Sequence, residues 1–154
     1  MEENGLLTLL SGQYQMQKVI ETNEKTKKLG LILSEEDAKT LVERQKETLQ
    51  EWQRVEFGES ILPKLIFTFC DSDFIYQENY AQTIIRLQEI FYLYKNESMD
   101  ELTDDELLEY MKKCFDGECQ GSLELLADTS LEAFARNVRA HTRKYIGKYS
   151  MDEE

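Results

Sequence analysis

The sequence predicts an all-α fold, a compact single-domain bundle of about five to seven helices around one central apolar helix. Three observations carry that prediction. Between Gly12 and Tyr149, apolar residues recur at the three- and four-residue spacing of helical faces. Ser34-Glu35-Glu36-Asp37 and Thr103-Asp104-Asp105-Glu106 are capping-box patterns, in which a hydroxyl and a carboxylate satisfy the first free N–H groups of a helix. Residues 73–96 are apolar on almost their whole circumference, and a helix of that kind must be enclosed by others. A chain of 154 residues suits one domain, with 1–11 and 150–154 expected as flexible ends.

The elements follow in order. Gly12 to Leu29 forms the first expected helix, carrying Tyr14, Met16, Val19 and Ile20 before a polar end; its last turn, Lys25-Thr26-Lys27-Lys28, suits the negative helix end, and Gly30 sits where a left-handed cap belongs. Ser34 opens a helix to about Val55, whose inward face is Ala38, Leu41, Val42, Gln45, Leu49 and Trp52. Ser60 to Cys70 contains Leu65-Ile66-Phe67-Thr68-Phe69, a composition shared by buried strands and short core helices. Pro63 is tolerated in a first helical turn and is poor in a central strand, so a helix is expected.

Ser72 or Asp73 can cap the central helix, whose polar residues Asn79, Gln82, Arg86 and Glu89 fall within a stripe of about 80°. Phe74, Ile84 and Phe91 should be fully buried, with Trp52 packed on that helix's neighbours. Thr103 opens a helix that ends at Gly117. After the turn-rich Asp116–Gly121 comes a short apolar stretch, Leu123–Ala127. Thr129-Ser130-Leu131-Glu132 then starts a last helix to about Lys144, with Leu131, Phe134, Ala135, Val138 and Tyr145 inward.

Composition excludes several classes. With 41% hydrophobic residues and a single proline, the chain is globular rather than disordered. A net charge of −13 opposes general affinity for nucleic acid or anionic membrane. The charge is uneven: 12 acidic residues against Lys112 and Lys113 lie between Glu97 and Glu132, whereas Ala133–Met151 carries five basic residues and no acid. No apolar run approaches the roughly 20 residues of a membrane span. The N-terminus lacks the basic start of a signal peptide, and three cysteines fit a reducing cytoplasm better than a disulfide framework.

Residues able to carry chemistry are few. Cys70, Cys114, Cys119 and His141 are ligand types that zinc uses, but C-x4-C is not a zinc-knuckle spacing, so no metal and no cofactor is expected. His141, the only histidine, is the default general base, with Cys70 or Cys119 as its nucleophile; Cys119 is also the candidate for redox chemistry. Cys70-Asp71-Ser72-Asp73 reads foremost as helix capping. The acidic run 100–106 lacks the glycine of a calcium loop. Arg136, Arg139 and Arg143 share one helix face and form a basic ridge suited to an acidic protein partner.

Three runs, Arg54-Val55-Glu56-Phe57-Gly58, Phe69-Cys70-Asp71-Ser72 and Cys119-Gln120-Gly121-Ser122-Leu123-Glu124-Leu125-Leu126, resemble those of a small uncharacterised bacterial family of unknown function, known chiefly from Firmicutes. The resemblance spans about Gly30 to Arg139. It implies a bacterial, cytoplasmic origin and transfers no catalytic residue. The sequence thus points to a non-catalytic accessory or adaptor protein that binds an unidentified protein partner or a second copy of itself. The competing expectation is a small-molecule sensor or Cys/His enzyme, its pocket between helices lined by Asn79, Gln82 and Arg86 with His141 and the Cys119 turn.

Overall fold

The computed structural model describes residues 2–56 and 59–140, with side chains from residue 12 onward, and no strand occurs among them. The fold is all-α. Internal contacts divide the chain into two units, residues 1–89 and 90–154, and one long helix runs through the boundary.

The first unit opens with α1 (Glu2–Glu21), which begins upstream of Gly12. A lone glycine costs a helix only about 1 kcal/mol and need not end it. The expected continuous helix to Leu29 is broken instead at Thr22. Its N–H and its hydroxyl both turn back to the Val19 carbonyl, a three-residue closure that leaves the α ladder and starts a short α2 (Asn23–Thr26) and a 3₁₀ turn (Lys27–Leu29). Gly30 supplies the left-handed cap at φ 79°.

From Leu31 to Leu33 the chain is extended, with Leu31 and Leu33 buried and Ile32 outward. Two side-chain amides hold it. Asn23 pairs with both the N–H and the carbonyl of Leu33 at 2.9 Å, and Gln77 does the same for Ile32 at 2.8 and 2.9 Å. A segment without sheet partners thereby has its backbone groups satisfied.

Helix α3 (Glu35–Glu51) starts at the Ser34 capping box, closed by Asp37, and buries Ala38, Leu41, Val42, Gln45 and Thr48. It stops short of Val55. Gln53 takes a left-handed φ of 53°, and the Arg54 N–H reaches back to the Leu49 carbonyl, the six-to-one bond of a Schellman turn. That turn leaves Trp52 40% exposed, so it is not on the buried face of the helix as the sequence predicts. Helix α4 (Leu62–Phe69) is helical as Pro63 predicts, with Leu62, Leu65, Ile66 and Phe69 buried.

Helix α5 (Gln77–Glu97) begins four residues later than expected. Ser72 spends its hydroxyl on a local turn, accepting from the Phe74 N–H, and Asn79 caps the helix instead. Its side chain accepts from the Tyr76 N–H at 2.9 Å and donates to the Phe74 carbonyl at 3.1 Å. Consequently Phe74 is half-buried and Tyr76 exposed, while Ile84 and Phe91 are fully buried as anticipated.

In the second unit, α6 (Asp104–Asp116) opens at the Thr103–Glu106 capping box, whose hydrogen bonds hold the Glu106 carboxyl below its usual range. Lys95 ties α5 to its start through Asp104 at 2.9 Å. The helix ends at Gly117, whose φ −93° and ψ −107° leave the helical path, and glycine is required there because a Cβ would meet the Lys113 carbonyl oxygen at 2.8 Å. Ser122 caps α7 (Leu123–Leu125), and the backbone then passes without a break through a π turn (Leu126–Ser130) into helical residues 131–140. Thr129-Ser130 therefore does not start a new helix. Ser130 is buried, and its hydroxyl turns inward to the Cys119 sulfur at 3.1 Å rather than capping. Tyr94, Tyr110 and Phe134 pack as a triad, with ring centroids 5.0 to 6.0 Å apart.

Candidate functional site

The nucleophile candidates are placed in different environments. Cys70 is the C-cap of α4, half-buried, with its thiol donating to the Phe67 carbonyl at 3.5 Å. Cys114 and Cys119 are buried in the second unit, where the Cys119 N–H bonds the Cys114 carbonyl at 2.9 Å across the end of α6. Burial pushes the Cys114 thiol up, so at neutral pH it is the protonated, unreactive form. Cys119 is 2% exposed and packed against Ser130, whose hydroxyl also donates to the Glu118 carboxylate at 3.4 Å. Both cysteines sit in the surroundings of a small buried side chain. His141 lies outside the described residues. Among those residues no group of three His, Cys, Asp or Glu side chains converges as a metal site would require.

Two members of the polar stripe of α5, Gln82 and Arg86, are exposed. Asn79 is taken up by the helix start, Gln82 faces water, and Arg86 is a surface cation bonded to Glu89 at 2.8 Å. Glu89 is held between Arg86 and Arg44, both about half-exposed, which limits what this ion triad adds to stability. On the basic ridge, Arg136 and Arg139 are exposed and have no ion-pair partner among the described residues; Arg143 lies outside them.

The first unit does contain clefts. A shallow one of about 530 Å³ is walled by Met16 and Ile20 and edged by Glu21, Glu24 and Glu35. A smaller one of about 260 Å³ lies among α1, α3 and the segment leading to α4, and its walls include Gln15, Gln45, Lys46, Arg54, Glu56 and Ser60. Gln45 is 2% exposed, and its amide is divided between two neighbours. It donates to the Glu56 carboxylate at 2.9 Å and accepts from the Ser60 hydroxyl at 3.2 Å. The other Glu56 oxygen accepts the Ile61 N–H at 2.7 Å, and Ser60 accepts that of Leu62 at 3.2 Å, so the same two side chains cap α4.

None of the residues singled out as catalytic or ligand-binding candidates lines either cleft. The one signal available was Gln45, a polar residue on the buried face of α3, followed by Arg54 and Glu56 in one of the runs that carried the family resemblance.

Comparison with known proteins adds one finding. The model of the family of unknown function DUF6323 matches residues 18–144. The chain belongs to that family. No curated protein and no solved structure matches it. Membership assigns no activity to this DUF6323 chain, and no helix among its described residues is long and apolar enough to cross a membrane.

Proposed function

We propose that the protein is a non-catalytic accessory protein that acts by binding another protein, in the bacterial cytoplasm. The reading is carried by large apolar side chains left in water on the first unit: Leu29, Ile32, Phe67 and Tyr76 are 53, 51, 39 and 56% exposed. They lie on segments that are tied together. Gln77, next to Tyr76, grips the Ile32 backbone, and the Lys25 ammonium sits 4.8 Å over the Phe67 ring. Because the Ile32 segment is already held rigid, docking there loses little conformational entropy.

The occupant is a different protein presenting apolar and acidic residues. Lys25, Lys27 and Lys28 border the apolar side chains, and Arg136 and Arg139 offer a second basic surface on the other unit. Two copies of this chain, each at −13, repel one another, which disfavours self-association.

The test is affinity capture of the full chain from its native cell, read by mass spectrometry at several salt concentrations. A stoichiometric partner should be lost when Ile32 and Tyr76 are both changed to Ser, with the melting temperature unchanged within a few degrees. Replacing Arg136, Arg139 and Arg143 with Gln should weaken capture less and reduce its sensitivity to salt. Capture unaffected by either variant overturns the reading. A dimer of the purified chain in sedimentation, abolished by the Ile32 and Tyr76 changes, would replace the foreign partner with a second copy.

A further inference from the structure

We infer that the partner docks on the apolar surface of the first unit as an amphipathic α-helix with acidic residues along one flank, a conclusion that rests on that surface being the binding site. The alternative form, a strand added to the chain, is blocked by the hydrogen bonds already made there.

The surface includes an extended segment, residues 31–33, with Ile32 outward and no strand beside it among the described residues. A segment of this kind binds peptides by presenting unpaired N–H and C=O groups to a new strand. Here all six such groups are already bonded within the chain. The Leu31 N–H donates to the Thr26 carbonyl at 3.1 Å, and the Leu31 carbonyl accepts from the Thr26 hydroxyl at 2.8 Å. The Gln77 amide bonds both groups of Ile32 and the Asn23 amide both groups of Leu33, at 2.8 to 2.9 Å. An incoming strand would have to displace these partners. The Thr26 hydroxyl is fully buried and Asn23 half-buried, so stranding either would forfeit about 1–3 kcal/mol. Recognition is therefore left to the side chains.

A helix suits that surface, because it arrives with its own backbone hydrogen bonds made and binds through apolar side chains at i, i+3, i+4 and i+7. Leu29, Ile32, Phe67 and Tyr76 supply the apolar contacts. Charge then selects the flank. Lys25 lies over the Phe67 ring, Lys27 pairs with Glu24 at 3.2 Å, and the exposed Lys28, beside Leu29 in the chain, has no ion-pair partner among the described residues. On either side of Tyr76 in the chain the exposed charges are acidic, Asp73 and Glu78. A peptide acidic all round would meet those carboxylates, so the acidic residues belong on the flank that faces Lys25 and Lys28.

The experiment is a selection of random displayed peptides of about 14 residues, roughly four helical turns, on the full chain and on a variant carrying both Ile32→Ser and Tyr76→Ser. Peptides that bind the parent chain and not the variant are then synthesised and titrated. They should carry apolar residues at helical spacing with acidic residues on one flank, and bind with a Kd of about 100 µM or tighter. A proline at the central position, which breaks a helix, should weaken them at least about tenfold. Lys28→Glu should weaken them about threefold or more without altering the melting temperature. Amide hydrogen exchange of the free chain should show the Ile32 and Leu33 N–H groups protected although no sheet contains them. Binders at this surface whose apolar residues alternate, or that keep their affinity with the proline in place, would overturn the helix and leave the binding surface standing. The absence of any binder sensitive to the double variant would remove both. Rapid exchange at Ile32 and Leu33 would remove the block against a strand, and the inference with it.

Discussion

Tyr80 and Tyr94 lie on the same helix, both fully buried, and end differently. In the second unit the Tyr94 hydroxyl donates to the Leu126 carbonyl at 2.7 Å, the first residue of the π turn. In the first unit the Tyr80 hydroxyl meets no partner in hydrogen-bonding geometry, although the Thr26 side chain is near enough to oppose the rise in its pKa. Helical periodicity places both rings in the core. Whether a buried hydroxyl is satisfied depends on which backbone arrives from a remote segment, and an unpaired one forfeits about 1–3 kcal/mol of desolvation.

The largest expected effect tests the burial that the two residues share. Ile84, on the same helix and fully buried, should not tolerate a charge. Ile84→Asp should cost several kcal/mol, comparable with the whole stability of a typical domain. Circular dichroism and denaturant titration would check it, and a soluble variant of equal stability would break the burial argument at its root.

Alkaline titration comes next in size. Burial pushes the phenols of Tyr80 and Tyr110 up to about 12, and that of Tyr94 higher still. Free phenols titrate near pH 10, so between there and the folded values the unfolded chain releases protons that the folded chain keeps. The stabilisation is complete below about pH 10 and is lost as pH rises through 12 and beyond. Tyrosinate absorbance should therefore rise together with loss of helix for these three residues, and a smooth titration with full helix retained above pH 12 would contradict it.

The comparison is sharpest, and the effects smallest, with single hydroxyl deletions. Tyr94→Phe leaves the Leu126 carbonyl without its donor and should cost about 1–3 kcal/mol. Tyr80→Phe removes a group that pairs with nothing and should fall between no change and a gain of about 1 kcal/mol. Denaturant midpoints of the two variants measured side by side decide it; equal losses would mean that Tyr80 is satisfied after all.

Local signals were read well where both partners lie within a turn or two. The capping boxes at Ser34 and Thr103 and the Gly30 cap need only neighbouring residues, and each forms as its sequence implies. Pro63 decided correctly between helix and strand for α4. The same grammar misled at Thr129-Ser130. A hydroxyl before an apolar run looks like a cap, but here the Cys119 sulfur and the Glu118 carboxylate draw it inward and the helix continues through a π turn. It misled again at Ser72, whose hydroxyl serves a turn of its own.

Most of the candidate site was not legible. Asn79, Gln82 and Arg86 share a helix face, which sequence shows, but what each does there is settled by the fold: Asn79 closes the helix start, while Gln82 and Arg86 are exposed. Gln45, Arg54 and Glu56 come together because the end of α3 bends back through Gln53, a residue without the usual glycine signature of a left-handed position.

The sequence alone determined the helical class, the capped starts of α3 and α6, and the burial of Ile84 and Phe91, because spacing and capping act over a few residues and along one face. The tertiary structure decided the exposure of Trp52, the inward turn of Ser130, the clamped Ile32 segment, the walls of the small cleft and the different fates of Tyr80 and Tyr94. In each of these a polar or apolar group is completed by, or left without, a partner from a separate segment, and a helical period does not specify which segment that is.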